Sequence, residues 1–514
     1  MVYKTFAAID VGSFEVSMKI FEMSPRNGIR QLEYLSRGID MGTDTYSDGK
    51  LNRTHIEELC VILKEYAKIM KTYKVVDYKA CGTSAIREAQ NSGILIDLVE
   101  QKTGIKIDVI SNSEQRFLDY KSIALQGEKF ERYIEKHTAI LDIGGGSIQM
   151  SLFNKDTLVS TQNMKLGVLR LLDRMNTIGA SFRKYETLVS ELCHSQFHTY
   201  SKMYLKDMQI ENLILVDDYI SLVINRDYFQ KHNKESVELD YIENLIEYGK
   251  KNSQKEMALK FGVSEDAVPM LFISAILLKE VMQTIGATSV WAPGVVLCDG
   301  IAFEYADQKG LIKSNHNFED DIRACALQIS KRYNGSRKRS ETIEHIALSI
   351  FDEIGQLHGL DKRDRLLLQI AAILHDCGKY ISMANLAECS YNIIKYTEII
   401  GMSHRERMII ANVVKYNQSS FDYFDDFSEI ENLDIKDHMK IAKLTAIIRL
   451  ANGLDRSHKM KFKDIKVQTV GDELIITVVT DEDISLEKGL FGNRSAFFEE
   501  TYNLLPVIKQ IRSF

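Results

Sequence analysis

Apolar and polar residues along the first 125 positions follow two rhythms. "YKTFAAIDVGS" and "EVSMKIFEMS" alternate with a period of two, and the glycine-serine turn between them predicts a hairpin. "RTHIEELCVILKEYAKIMKTY" repeats its apolar positions at helical spacing, and "YKACGTSAIREAQN" leads from a strand into a helix. "IKIDVIS" reads as a further strand and "SEQRFLDYKSIALQG" as a further helix, so this stretch is an α/β pattern. A second segment of the same design opens at "HTAILDIGGGSIQMSLFNKDTLVSTQNMKL". Asp10-Val-Gly-Ser13 and Asp142-Ile-Gly-Gly-Gly-Ser147 then stand as equivalent turns in two halves of a duplicated fold.

From about residue 306 the texture changes. "DQKGLIKSNHNFEDD" reads as a linker, and the segments "RSETIEHIALSIFDEIGQLHGL", "KRDRLLLQIAAILHDCGKYI", "SHRERMIIANVVKYN" and "KIAKLTAIIRLANGLDRS" are helical. The tail "FKDIKVQTVGDELIITVVTDEDISLE" returns to strand alternation about a Gly-Asp turn. The expected division is residues 1–125 and 126–306 for the two α/β halves, 316–458 for a helical domain, and 459–514 for a small α+β end-piece.

Composition narrows the function classes. With 514 residues, 45% hydrophobic and 27% charged, the chain can bury several cores. It shows no uninterrupted apolar run of membrane-spanning length, and "MVYKTFAAIDVGS" enters a strand directly, so a cytoplasmic protein without a membrane partner is expected. Seven cysteines lie singly with no CxxC pair, which fits reduced thiols better than zinc or disulfides. A net charge of −7 argues against dedicated nucleic-acid binding. A polyanion would need local basic patches, for which "SRKRS" (336–340) and "RSHKMKFK" (456–463) are candidates, beside the reading that both are solvated faces.

The two turns carry the candidate chemistry. Glycines without Cβ let backbone amides close on an anion, so Gly12, Ser13, Gly144, Gly145, Gly146 and Ser147 read as phosphate-binding. Asp10 and Asp142 can hold a divalent cation directly or through water. Arg87, just after a strand, either clamps phosphate oxygens or opens a surface helix beside Glu88.

Five segments in this order, "AAIDVGS", "GTSAIREAQN", "IDVISNSEQ", "LDIGGGSIQ" and "MKLGVLRL", resemble the exopolyphosphatase and guanosine-pentaphosphatase family of the actin-like ATPase superfamily. The resemblance extends over the whole chain. It implies a duplicated actin-like (ribonuclease H-like) core, a helical HD-type domain and an α+β tail. It also implies removal of the terminal phosphate of inorganic polyphosphate or guanosine pentaphosphate, with Mg2+ or another divalent cation, by a homodimer. An actin-like ATPase is a weaker reading, since no glycine turn for adenosine is visible near 213–221.

The departures from the family pattern fall at the reacting centre. The first loop, normally DxGSNS, continues here as Phe14-Glu15. The "EEA" segment, whose second Glu is the family's base, reads Glu114-Gln115-Arg116, and the second catalytic Glu, closing "GGGSTE", is Gln149. The late "LREG" motif reads Leu297-Cys298-Asp299-Gly300, and a third glycine turn is missing near 213–221. An amide cannot take a proton from water, although it can orient water for attack. Gln115 and Gln149, with Glu114 one helix position away, are therefore the candidate catalytic residues of a slow hydrolase. The alternative is an inactive binder of polyphosphate or guanosine pentaphosphate. In the helical domain His345, His375 and Asp376 resemble HD-site ligands, with Asn452 where the closing Asp is expected and Asp455 one turn on. That degenerate set is expected to be structural rather than catalytic.

Overall fold

Strand β1 (Lys4–Val11) is followed after a three-residue turn by β2 (Glu15–Ser24), and the two pair antiparallel with Asp10 opposite Ser17. The computed structural model describes residues 3–155, 157–205, 208–217, 219–224, 236–312, 316–423, 433–462 and 464–512. A third strand, β3 (Gly28–Gly38), adds antiparallel to β2. Its side chains are mostly exposed or half-buried, so it lacks the apolar alternation by which its neighbours are read from sequence. β4 (Asp77–Gly82) and β5 (Ile107–Val109) complete the sheet in the order β3-β2-β1-β4-β5, with β1, β4 and β5 parallel.

The second half repeats the plan. β6 (Thr138–Ile143), β7 (Ile148–Asn154), β8 (Thr157–Met164) and β9 (Asn212–Asp217) form a sheet in the order β8-β7-β6-β9. β6 pairs antiparallel with β7, placing Asp142 opposite Gln149, and parallel with β9. β1, β2, β3 and β4 thus correspond to β6, β7, β8 and β9. The two-residue strands β10 (Val237–Glu238) and β11 (Ser289–Val290) pair with each other. Together with helices these elements make one unit, Met1–Asn317.

The helix Val268–Ile285 carries few charges, and the window Glu265–Ile285, with mean hydropathy 1.5, is long and apolar enough to cross a membrane. It is 72% buried among the core side chains of the second half, as the central helix of a packed domain would be. The helix Leu297–Gln308 packs against Asn112–Ala124 so closely that a Cβ on Gly300 would run into the Leu118 carbonyl. Asp299, in the altered "LREG" segment, receives both hydrogen bonds of buried Lys19, at 2.9 and 2.8 Å.

The second unit, Phe318–Phe514, is helical up to Leu454. It then forms β12 (Asp464–Val470), β13 (Glu473–Val479), the helix Ser485–Tyr502 and β14 (Leu505–Ile511). β12 and β13 are a hairpin, and β14 joins β13 in parallel. Residues 313–315 of the expected linker and Lys463 of the second basic segment lie outside the described residues.

Candidate functional site: a cleft between two matched turns

The turns after β1 and β6 are built alike. Gly12 N–H donates to the Glu15 carbonyl at 3.0 Å, and Gly144 N–H donates to the Ser147 carbonyl at 3.0 Å. In the first turn the Ser13 and Phe14 carbonyls accept from Gly42 and Ile39 at 2.7 and 2.8 Å. In the second the Gly144 and Gly145 carbonyls accept from Val168 and Leu169 at 3.0 and 2.9 Å, and Gly146 accepts from Arg170 Nε at 3.0 Å. The carbonyls are thus taken up by the surrounding fold. Among the described residues, the amides of Ser13, Phe14, Gly145 and Gly146 donate to no protein acceptor. Adjacent uncommitted amides in such turns make an anion-binding concavity.

The turns also approach each other closely enough to require glycine. A Cβ on Gly145 would lie 3.2 Å from the Ser13 Cβ, and one on Gly146 would strike the Tyr46 hydroxyl and sit 2.9 Å from Ser84 Oγ. Ser13, Ser84 and Tyr46 share their hydroxyls in a triangle with edges of 2.9, 2.9 and 2.8 Å. Thr83 and Ser84, at the end of β4, line the cleft with the two turns. Gln115, Gln149 and Tyr219 add polar groups, and Phe14, Val263, Ala267, Met270 and Leu271 form an apolar wall around about 190 Å3 of free space.

Gln149 is buried, and both ends of its amide are engaged. Arg116 donates through Nε to Gln149 Oε1 at 2.9 Å, and Gln149 Nε2 donates to Asp142 Oδ2 at 2.9 Å. A guanidinium only donates and a carboxylate only accepts, so this amide orientation is the one both neighbours satisfy. Arg116 also donates to Thr161.

Burial pushes Asp142 up to about 7, with Arg116 pulling against it and Asp217 adding to the rise. Asp10 is likewise pushed up to about 7, by burial and then by the charges of Glu15 and Asp142. Its Oδ1 is buried without a hydrogen-bond partner, the kind of acceptor a cation would satisfy. Asp217 is pushed up to about 6 by burial, although Ser274 and the amides of Tyr219 and Ser221 donate to it. Its carboxylate therefore organises the turn where a third glycine loop was sought; residue 218 itself lies outside the described residues.

The sequence-predicted residues separate into two groups. Asp10, Gly12, Ser13, Gln115, Gly144, Gly145, Gly146, Ser147 and Gln149 line the cleft. Glu114 does not: its carboxylate accepts from Ser111 N–H in the capping box of the Asn112–Ala124 helix. Arg87 donates to the Ile110 carbonyl at 2.7 Å and to Asn112, which directs it to the β5 end, although its charge still lowers Asp142. Asp142 lies behind Gln149 in the hydrogen-bond chain and is not a lining residue. Sequence reasoning assigned nothing to Tyr46, Thr83, Ser84, Arg116 or Asp217. The "GTS" following a strand was the one available signal, for Thr83 and Ser84.

In the helical unit the site expected around His375 is filled by an arginine. Arg339 is buried, and its guanidinium donates to His375 Nε2, to Asn452 Oδ1 at 2.6 Å, to Asp455 Oδ2 at 3.2 Å and to Asp376 Oδ2 at 3.4 Å. His345 is exposed on the same helix as Arg339 and faces away from this cluster, which corrects its assignment to the site. The "SRKRS" segment is likewise not a uniform basic surface, because Arg339 is buried while Arg337 pairs with Glu341. Among the described residues, no group of three or more His, Cys, Asp or Glu side chains is arranged to hold a metal.

Comparison with known proteins accords with this geometry. The chain is 18% identical over 430 residues to a guanosine-5'-triphosphate,3'-diphosphate pyrophosphatase of Photobacterium profundum, covering 80% of each. It is 26% identical over 178 residues to a bifunctional 3-dehydroquinate synthase/phosphatase of Fusobacterium nucleatum, covering 33% of this chain and 26% of that one. A solved exopolyphosphatase from Cytophaga hutchinsonii superposes with a TM-score of 0.53 at 18% identity, over 61% of this chain and 100% of that chain. A Ppx/GppA family structure from Aquifex aeolicus superposes at 0.50 with 19% identity, over 62% and 100%. These structures share the actin-like ATPase fold of the first unit. Residues 20–309 match the Ppx/GppA phosphatase family and residues 322–493 match its domain III, so the chain belongs to the Ppx/GppA phosphatase family.

Proposed function

We propose that the cleft binds the end of an inorganic polyphosphate chain and hydrolyses its terminal phosphoanhydride slowly. The observation that carries this reading is the pair of matched turns with four uncommitted amides. The free space of about 190 Å3 is small beside the roughly 300–1,000 Å3 of ordinary small-molecule pockets, which suits one or two phosphate groups better than a whole nucleotide. Guanosine pentaphosphate enters as a substrate through the names of relatives such as that of Photobacterium profundum. Its polyphosphate end would occupy the same turns.

A divalent cation such as Mg2+ fits the residues present. The orphaned Asp10 Oδ1 is an oxygen donor, and Mg2+ commonly rests on one or two carboxylates plus substrate phosphates. When bound it would neutralise charge on the phosphate oxygens. The chain's own contribution is to hold those oxygens with backbone amides and the Ser13 and Ser147 hydroxyls, and to exclude bulk water with the apolar wall.

The second reading, a binding protein without turnover, is favoured by Gln149. Its amide is tied at both ends, so it has little freedom to orient water. Phosphate release from long-chain polyphosphate with Mg2+, measured beside equilibrium binding, separates the two. Steady release that is lost in Asp10→Ala supports the hydrolase; tight binding with no release supports the binder. We further place the protein in the cytoplasm, where its seven cysteines, none in a disulfide, would stay reduced, and we read its working form as a homodimer.

A further inference from the structure

We propose that Glu15 is the catalytic carboxylate of this cleft, taking the proton from the water that attacks the terminal phosphorus. The proposal rests on the hydrolase reading above. Of the described residues lining the cleft, only Asp10 and Glu15 carry carboxylates, and no described histidine, lysine or cysteine joins them. Asp10 offers a buried orphaned oxygen, the position suited to a cation. The other acidic side chain is left to meet water.

The geometry around Glu15 agrees with that role. It opens β2 and closes the first turn, because its carbonyl accepts from Gly12 N–H at 3.0 Å. Its side chain therefore begins one residue beyond the uncommitted amides of Ser13 and Phe14. Ser36 Oγ donates to Glu15 Oε2 at 2.8 Å, fixing the carboxylate against β3. Glu15 is half-buried, so it touches the cleft and keeps a path for a proton to reach solvent. The position is also independent of the tied amide at 149, so a carboxylate here needs no change in the Arg116–Gln149–Asp142 chain.

The step balances without any further reagent. The water oxygen forms a bond to the terminal phosphorus, and the bond from that phosphorus to the bridging oxygen breaks. The bridging oxygen leaves with the electron pair on the shortened chain. One water proton passes to the Glu15 carboxylate and then to solvent, and orthophosphate departs.

The test compares wild type, Glu15→Gln and Glu15→Asp with long-chain polyphosphate and Mg2+, measuring kcat, KM and equilibrium binding together. Expected is a fall in kcat of roughly 10²–10⁴ for Glu15→Gln, with binding unchanged or tighter because a negative charge has left an anion site, and partial recovery of kcat in Glu15→Asp. Release by Glu15→Gln at the wild-type rate overturns the proposal and leaves the hydrolase reading standing. Absence of release from the wild type removes both. A fall in kcat matched by lost binding in Glu15→Gln also overturns it, since that pattern marks a fold or binding defect.

Discussion

Arg116 and Asp142 share one glutamine: Gln149 accepts from the guanidinium at 2.9 Å and donates to the carboxylate at 2.9 Å. The amide is the one side chain of its size that satisfies both neighbours at once. A glutamate there would accept from Arg116 but leave Asp142 without its donor, and would add a second negative charge to a buried pocket.

Gln149→Glu is therefore expected to destabilise the protein by about 1–3 kcal/mol in the absence of a divalent cation, the usual consequence of stripping a partner from a buried polar group. Urea unfolding with and without Mg2+ checks this, and recovery of most of the loss by Mg2+ is the expected pattern. An unchanged midpoint in metal-free buffer would show that Asp142 does not depend on the amide.

Gln115 is half-buried and lines the cleft, away from that chain. A carboxylate there would face water directly. With Glu15 in place a second carboxylate adds little, so Gln115→Glu should change phosphate release by less than about tenfold, whereas in a Glu15→Gln background it should raise release by roughly 10²-fold or more, since general-base catalysis contributes about 10²–10⁴. No gain in that background would place the attacking water out of reach of position 115.

Gly146 has Ser84 and the Tyr46 hydroxyl directly against it, two corners of the hydroxyl triangle that Ser13 completes. Gly146→Ala should push the second turn away from Tyr46 and Ser84, costing about 1–3 kcal/mol of overpacking strain. Polyphosphate affinity should drop with it, and Gly93→Ala, where nothing lies within 4 Å of the new Cβ, should leave binding unaltered. A binding titration of both variants measures the contrast.

Arg339 is the hub of the helical unit, and removing it takes the ion-pair partner from buried Asp455 and leaves Asp376 with Lys379. Arg339→Met should cost about 3–5 kcal/mol, as expected when one partner of a buried ionic cluster is deleted. Arg339→Lys should recover little, because an ammonium cannot reproduce the planar fork that reaches four residues. Denaturant unfolding of the full chain reports both.

His375 gives a pH dependence with a definite sign. Its Nδ1–H donates to the Ala372 carbonyl at 2.7 Å while Nε2 accepts from Arg339, so the ring must be neutral to hold both contacts. Burial, with Arg339 adding to it, pushes its pKa down to about 4, against the attraction of Asp376. In the unfolded chain the imidazole titrates near its ordinary value of about 6.5. The unfolded state thus binds the extra proton first, and this contribution to stability is whole above about pH 6.5 and is lost as pH falls towards 4. The difference in unfolding free energy between wild type and His375→Gln, followed from pH 8 to 4, should shrink over that window.

Much of the architecture was legible along the chain. The apolar runs in "TFAAIDV" and "TAILDI", each with an Asp at its penultimate position before a glycine turn, mark two equivalent strands because a buried strand must carry its apolar residues locally. The helices of the second unit declare themselves by their spacing for the same reason. β3 did not, since an edge strand with an exposed surface has no burial to pattern it. The turns and their glycines could likewise be read as a cradle, because a close backbone approach forbids other residues.

What only the tertiary structure decided was which side chains meet. Arg116 reaches Gln149 across 33 positions of sequence, and Arg339 reaches Asp455 across 116. His345 and Arg339 lie on one helix, and its orientation in the packed bundle sends the arginine inward and leaves the histidine in water. Glu114 looked like a carboxylate beside the reaction, yet the helix start took it as a cap; Glu15 looked like a departure from a loop pattern, yet it faces the cleft. Local periodicity records burial and turn geometry, residue by residue. The partners of a buried charge are set by long-range packing, where burial makes every unmatched donor or acceptor costly and so fixes which distant residues must come together.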